Sequence, residues 1–280
     1  FREQLGGFGS FVPFPASPPV GQTAANPVAR ARRNGISEVA NRIQELFRRR
    51  RIGAILVEPV QVRGGINVPE REFLKTLRSL CDRNGAVLIL DEIYTGFGRT
   101  GKWFACEHSG IVPDLICLGK ALTGGFPLSA CVGRADLMDA AWPPSQGEAI
   151  HTSTFLGHPV GCAMALAQIQ EIERRELVRR SVKLGNHLLS ALSSLTRPSS
   201  GLRLSARGLG LLAGVELLRP DGQPATAEAL AVVKRLLHKG YIFLPEGECS
   251  NVISFTPPLT IPEHRLDAAV SALHLELGRL

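Results

Sequence analysis

An unbroken apolar run, Ala86-Val87-Leu88-Ile89-Leu90, ends on Asp91-Glu92. A run without alternation suits a strand buried on both faces, and such strands belong to parallel sheets covered by helices. The surrounding pattern agrees. Residues 54–57 form a shorter apolar run. Pro69 opens a helical segment with Phe73, Leu74, Leu77, Leu80 and Cys81 on one face, and Gly85 is its natural C-cap. Further strands are expected at 115–118 and 128–132. Strand and helix signals alternating in this way predict an α/β layered domain. In open sheets of this type, ligands bind beyond the carboxyl ends of the strands. The polar residues at those ends are Glu58, Asp91 with Glu92, and Lys120.

Residues 1–36 are rich in Pro, Gly and Ala and read as irregular connection, with Asn34-Gly35 as a turn. Ser37 reads as the cap of a helix running to about residue 50, with Val39, Ile43, Leu46 and Phe47 in one stripe. The texture changes after Pro159. Residues 161–195 are helical by pattern, with a break near Glu176. A strand at 210–217, a helix at about 227–239, strands at 241–244 and 252–255, and a closing helix from Pro262 follow. The expected division is a large unit over 1–170 and a smaller α+β unit over 171–280.

Composition removes several function classes. No apolar run is long enough to cross a bilayer. The start, Phe1-Arg2-Glu3-Gln4, carries neither a secretory signal nor an initiator Met, and reads as a processed or truncated end. The net charge is +7, and its densest cluster is Arg48-Arg49-Arg50-Arg51. At a helix C-terminus these arginines meet a favourable dipole, and no aromatic interleaving marks them as a nucleic-acid contact. The six cysteines form no CxxC pair, and most lie in apolar segments. They read as small buried hydrophobes of a reducing compartment, the cytoplasm, and no metal site is expected.

Asp91 ends a buried strand, so its carboxylate needs a positive partner or several donors. That partner is either a ligand or a structural ion pair. Glu92 points to the opposite face, so the two carboxylates do not form an acid–base pair. Lys120, in Gly119-Lys120-Ala121-Leu122-Thr123-Gly124-Gly125, is either a nucleophile held at the mouth of the sheet or an ordinary loop lysine. Gly96-Phe97-Gly98-Arg99-Thr100-Gly101 fits neither the Walker nor the dinucleotide pattern. Thr152-Ser153-Thr154 either holds a phosphate or caps a helix.

Taken together, Glu58-Pro59-Val60-Gln61, the stretch from Asp91 to Gly101, Pro113-Asp114, Gly119-Lys120, the stretch from Gly124 to Leu128, and His151-Thr152-Ser153-Thr154-Phe155 resemble the class III aminotransferases in order and spacing. The resemblance runs from about residue 50 to the end. It implies pyridoxal 5'-phosphate as cofactor. The implied fold is type I, with a mostly parallel large-domain sheet, incomplete here, and a smaller α+β domain. It also implies that Lys120 forms the Schiff base and that Asp91 pairs with the pyridine nitrogen. Ile93 would pack on the ring and Tyr94 lie near the ring hydroxyl. Thr154 would reach the cofactor phosphate of a neighbouring subunit, which implies a homodimer. The implied reaction is ping-pong transfer between an amino donor and a keto acceptor, with Lys120 moving the Cα proton. Racemisation or epimerisation on the same scaffold, or an inactive fragment, are the alternatives.

The sequence departs from the family pattern in two respects. Arg63 stands where many ω-amino-acid members carry an acidic residue, and Ser254 stands where many carry an arginine before the Pro257-Pro258-Leu259 motif. Arg63 is therefore the candidate for the substrate carboxylate. The family also has a phosphate-holding loop and a stacking aromatic upstream of the region matched here. No such loop precedes Glu58, so the chain reads as a C-terminal piece that binds cofactor poorly or not at all by itself.

Overall fold

The computed structural model describes residues 9–15, 27–145, 147, 153–195 and 201–280. The apolar run at 86–90 becomes the second strand of a four-stranded sheet. Its strands are β1 (Ala54–Val57), β2 (Val87–Asp91), β3 (Leu115–Leu118) and β4 (Ala130–Gly133), in that spatial order. The pairs β1–β2 and β2–β3 are parallel, and β4 runs antiparallel to β3. A parallel pair needs a crossover, and α2 (Glu72–Asn84) supplies it. Its buried stripe is Phe73, Leu74, Leu77, Leu80 and Cys81, as the periodicity predicts. Gly85 closes it in the left-handed region at φ 62°, donating to the Cys81 carbonyl.

The first helix departs from expectation. α1 spans Pro27–Arg49, so Ser37 lies inside it and caps nothing, and Asn34-Gly35 is helical, not a turn. Proline suits the first helical position, and one interior glycine costs only about 1 kcal/mol against alanine. Flanking Ala and Arg residues outweigh that local turn signal. Val39 and Ile43 are buried against α2, and Arg48 and Arg49 occupy the last turn.

α4 (Pro159–Arg174) packs Ala165 and Ile172 against Phe97, Leu118 and Leu122 beside the first sheet. The chain then breaks at Glu176, whose φ is +48°, and α5 (Leu177–Ser193) begins. A short α3 (Ala135–Ala141) carries no clear sequence signal.

The second sheet contains β5 (Arg203–Leu209), β6 (Leu212–Leu218), β7 (Leu244–Glu246) and β8 (Val252–Phe255), in the order β5-β6-β8-β7, all antiparallel. The strand expected at 241–244 sits further on because β7 is an edge, where Pro245 is tolerated. No strand signal marks β5, because Arg203 and Arg207 interrupt its apolar pattern. Ala213, Val215, Leu217, Ile253 and Phe255 pack against α5, α6 (Thr226–His238) and α7 (Glu263–Leu277). The opposite face meets the loop after β1. There Leu212 packs with Val60, Val62 and Ile66, and the buried Arg207 donates to the Gly65 and Ile66 carbonyls and to Glu216.

Cys81 and Cys106 are buried and Cys117 half-buried, but Cys131, Cys162 and Cys249 are exposed, so half of the cysteines are not core residues. They lie on the outermost strand, on a helix surface and in a turn, where apolar neighbours in sequence do not guarantee burial. Among the described residues no helix is long and apolar enough to cross a membrane, and no group of three or more His, Cys, Asp or Glu converges.

Candidate active site

Parallel pairing puts the carboxyl ends of β1, β2 and β3 along one edge. Glu58 follows β1, Asp91 ends β2, and Gly119-Lys120 follows β3. Asp91 is half-buried, and its Oδ1 accepts the Ile93 N–H at 3.0 Å. Among the described residues nothing else hydrogen-bonds to this carboxylate. Glu92 points away and is fully buried, accepting from Thr95 Oγ1 and from the N–H groups of Ala105 and Cys106. Burial pushes its carboxyl up, and those donors pull against it. Glu92 therefore fastens the turn at Ala105–His108, while Asp91 keeps capacity for a ligand.

Lys120 is exposed and opens a 3-10 turn, Lys120–Leu122, at φ +40°. Few side chains adopt this region, and such strain clusters at functional positions. Its Nζ stands 4.3 Å from the centroid of the Tyr94 ring. Ile93 flanks the same spot: a Cβ on Gly119 would come within 3.2 Å of Ile93 Cγ2, so glycine permits the close approach. Tyr94, Arg99, Lys120, Gln168, Arg175 and Thr256 line a cleft of about 560 Å³. Glu58 responds to both neighbours. Burial pushes its carboxyl up, the Val62 N–H pulls it down, and Asp91 and Lys120 push in opposite directions.

The structure thus brings Asp91, Ile93, Tyr94 and Lys120 together. Thr154 lies apart, in an exposed turn beside Phe155 and Leu156, while His151 and Thr152 fall outside the described residues. Arg63 reaches across to the second sheet, where Nη1 lies 2.8 Å from Glu246 Oε1. Its side chain is 69% exposed while that of Glu246 is 1% exposed, so the carboxylate is the committed partner. Glu246 Oε2 is buried without a partner. Ser254 is buried and donates to the Leu244 carbonyl at 3.1 Å.

Glu246 is not legible in the sequence. Its only signal is an acidic residue in a short apolar stretch, which does not reveal a partner 183 residues away. The role of the glycines of 96–101 is equally hidden in the sequence. A Cβ on Gly98 would meet Val178 and Leu259, and one on Gly101 would meet Val182, so these glycines admit α5 and the Pro257-Pro258-Leu259 segment rather than a phosphate. Arg99 ties that segment down by donating to the Pro257 and Leu211 carbonyls. Asp114 is structural: it accepts from the Leu88 N–H, Arg78 and Arg134.

These residues fit pyridoxal phosphate. An amine and an under-used carboxylate share one strand edge, with an aliphatic and an aromatic side chain beside them.

The family described as aminotransferase class-III matches residues 6–277. The 5-aminovalerate aminotransferase DavT of Pseudomonas aeruginosa is 40% identical over 224 residues, 79% of this chain and 51% of that protein. The leucine/methionine racemase of Thermococcus litoralis is 39% identical over 226 residues, 79% of this chain and 49% of that protein. An amine transaminase from an uncultivated Pseudomonas species, solved in its PLP-bound form, aligns with a TM-score of 0.80 at 31% identity over 93% of this chain and 63% of that one. The chain spans about half the length of these curated relatives. The α/β arrangement is that of the fold type I transaminases. The family match, these relatives and the shared fold agree: the chain belongs to the class III aminotransferases.

Proposed function

We propose that the chain carries the lysine-bearing part of the active site of a pyridoxal-phosphate-dependent aminotransferase, which moves an amino group from an amino donor to a keto acceptor. The observation that carries this reading is the convergence of Asp91, Ile93, Tyr94 and Lys120 at one edge of the first sheet. The bound cofactor supplies an electron sink for the carbanion left when the substrate Cα–H bond breaks. Asp91 would hold a proton on the ring nitrogen, a partner that would answer its need for a donor. Ile93 would pack on the ring, and Tyr94 would stand near the ring hydroxyl. Lys120 would hold the cofactor through its amine, and the same amine would carry the substrate Cα proton as base and acid. Arg63, mostly exposed while its Nη1 pairs with Glu246, would offer its guanidinium to a substrate carboxylate.

Thr154 reads as a donor to the cofactor phosphate of a second copy, which makes the assembly a homodimer with shared sites. Its exposed turn, with Phe155 72% and Leu156 66% exposed, supports that placement. A cytoplasmic location and a division into units over 1–170 and 171–280 complete the reading, and the break at Glu176 lies close to that boundary.

Incubation with pyridoxal phosphate, borohydride reduction and peptide mapping test the proposal. A pyridoxyl group on Lys120 is the expected result, and label on other lysines alone overturns it. Racemisation is the second reading, favoured by the identity to the Thermococcus litoralis protein. Loss of optical rotation without keto-acid formation identifies it.

A further inference from the structure

Cys117 on β3 and Cys131 on β4 are direct partners in an antiparallel ladder. Partners of this kind project from the same face, with Cα atoms about 4.5–5.5 Å apart. A disulfide accepts Cα separations of about 4.4–6.8 Å. The neighbouring Cys131 thiol adds to the burial that pushes the Cys117 thiol up. On its other side Cys117 is in register with Asp91, so one sheet row reads Asp91, Cys117, Cys131. No other cysteine is placed this way. Cys81 and Cys106 are buried, with burial pushing their thiols up to about 11 and about 12. Cys162 and Cys249 are exposed on separate elements.

We propose that Cys117 and Cys131 are a redox modification site, closing to a reversible cross-strand disulfide in the presence of a small-molecule disulfide oxidant. Cys131 is the exposed member and meets the oxidant first. Its thiolate attacks one sulfur of the small disulfide and expels the other half as a thiol. The Cys117 thiolate then attacks the Cys131 sulfur and expels the second half. The protein loses two protons and two electrons, and the oxidant gains them to become two thiols. Burial pushes the Cys117 thiol up, which suits the slower second step. The product ties β4 to β3 in the row of Asp91, three residues before Lys120. The inference does not depend on the assigned reaction.

The test uses the whole chain and glutathione disulfide, followed by alkylation and tryptic digestion without reduction. The expected product joins peptide 103–120 to peptide 121–134, two hydrogens lighter than their sum, with fragment ions placing the bond at Cys117 rather than Cys106. Dithiothreitol separates them, and Cys131→Ser abolishes the link without loss of fold, because Cys131 is exposed. Glutathione retained on Cys131 with Cys117 alkylated overturns the proposal. So does a bond to any other cysteine.

Discussion

The Lys120 ammonium stands 4.3 Å from the centroid of the Tyr94 ring, and it does so from a backbone at φ +40°. The side chain is exposed, so little apolar burial compensates the strain. Glycine relieves a left-handed position, although it loses more entropy on folding. Lys120→Gly is expected to raise the stability of the cofactor-free protein by about 1 kcal/mol while abolishing borohydride-trapped cofactor. Thermal melting checks the first half. A lower melting temperature means that Lys120 supports the fold through its contacts.

Arg63 and Glu246 make a second link between the two sheets. Glu246 is buried and Arg63 mostly exposed, so removing the arginine strands a carboxylate, while solvent partly screens the loss. Arg63→Ala is expected to cost about 1 kcal/mol, and Arg63→Ala with Glu246→Gln to recover most of it, because a neutral amide no longer needs the cation. Denaturant titration of the three proteins measures this. The same Arg63→Ala variant is expected to raise KM for carboxylated amino donors several-fold. An unchanged KM leaves Arg63 as a purely structural link.

Two carboxylates give opposite pH dependences. Burial opposes ionisation of Asp114, but the Leu88 N–H, Arg78 and Arg134 hold its carboxyl below the usual range. A depressed folded value stabilises above the ordinary aspartate range, and the benefit is lost as pH falls through that folded value. Glu58 behaves in the reverse sense. Burial pushes its carboxyl up, so its folded state binds the proton more tightly, and stability declines as pH rises through the raised value. Asp114→Asn is expected to lose about 2 kcal/mol at neutral pH and to flatten the acid limb. Glu58→Gln is expected to remove the decline that begins above the ordinary glutamate value. Denaturation midpoints across a pH series test both, and an unaltered slope in either variant refutes its assignment.

The elements nearest the site were the most legible. The apolar runs that become β2 and β3 place Asp91 and Lys120, and the stripe of α2 needed only helical period. Legibility failed where distant partners decide the outcome. The start of α1 hides behind Asn34-Gly35, and β5 takes its strand character from pairing with β6. Glu246 gains its meaning from Arg63, and the glycines of 96–101 from the surface of α5. Sequence patterns report how a segment buries its own face, and these features depend on what arrives from elsewhere in the chain.

The closest approach between those segments yields a final prediction. A Cβ built on Gly185 of α5 would lie 2.3 Å from the carbonyl carbon of Gly210, and one on Gly210 would lie 2.5 Å from that of Thr100. Both obstacles are backbone, so no side-chain rotation makes room. Leu211 N also donates to the Arg99 carbonyl, and Ser181 Oγ touches the same carbonyl, so the three segments cannot separate without losing hydrogen bonds. Gly185→Ala is therefore expected to destabilise by about 2–3 kcal/mol, despite the helix propensity that alanine adds. Arg99 also holds the Pro257 carbonyl, and Thr256 lines the Lys120 cleft, so displacement of this stack is expected to disturb cofactor attachment as well. A Gly185→Ala protein that melts with the wild type and traps cofactor equally would show that α5 can slide away at little cost.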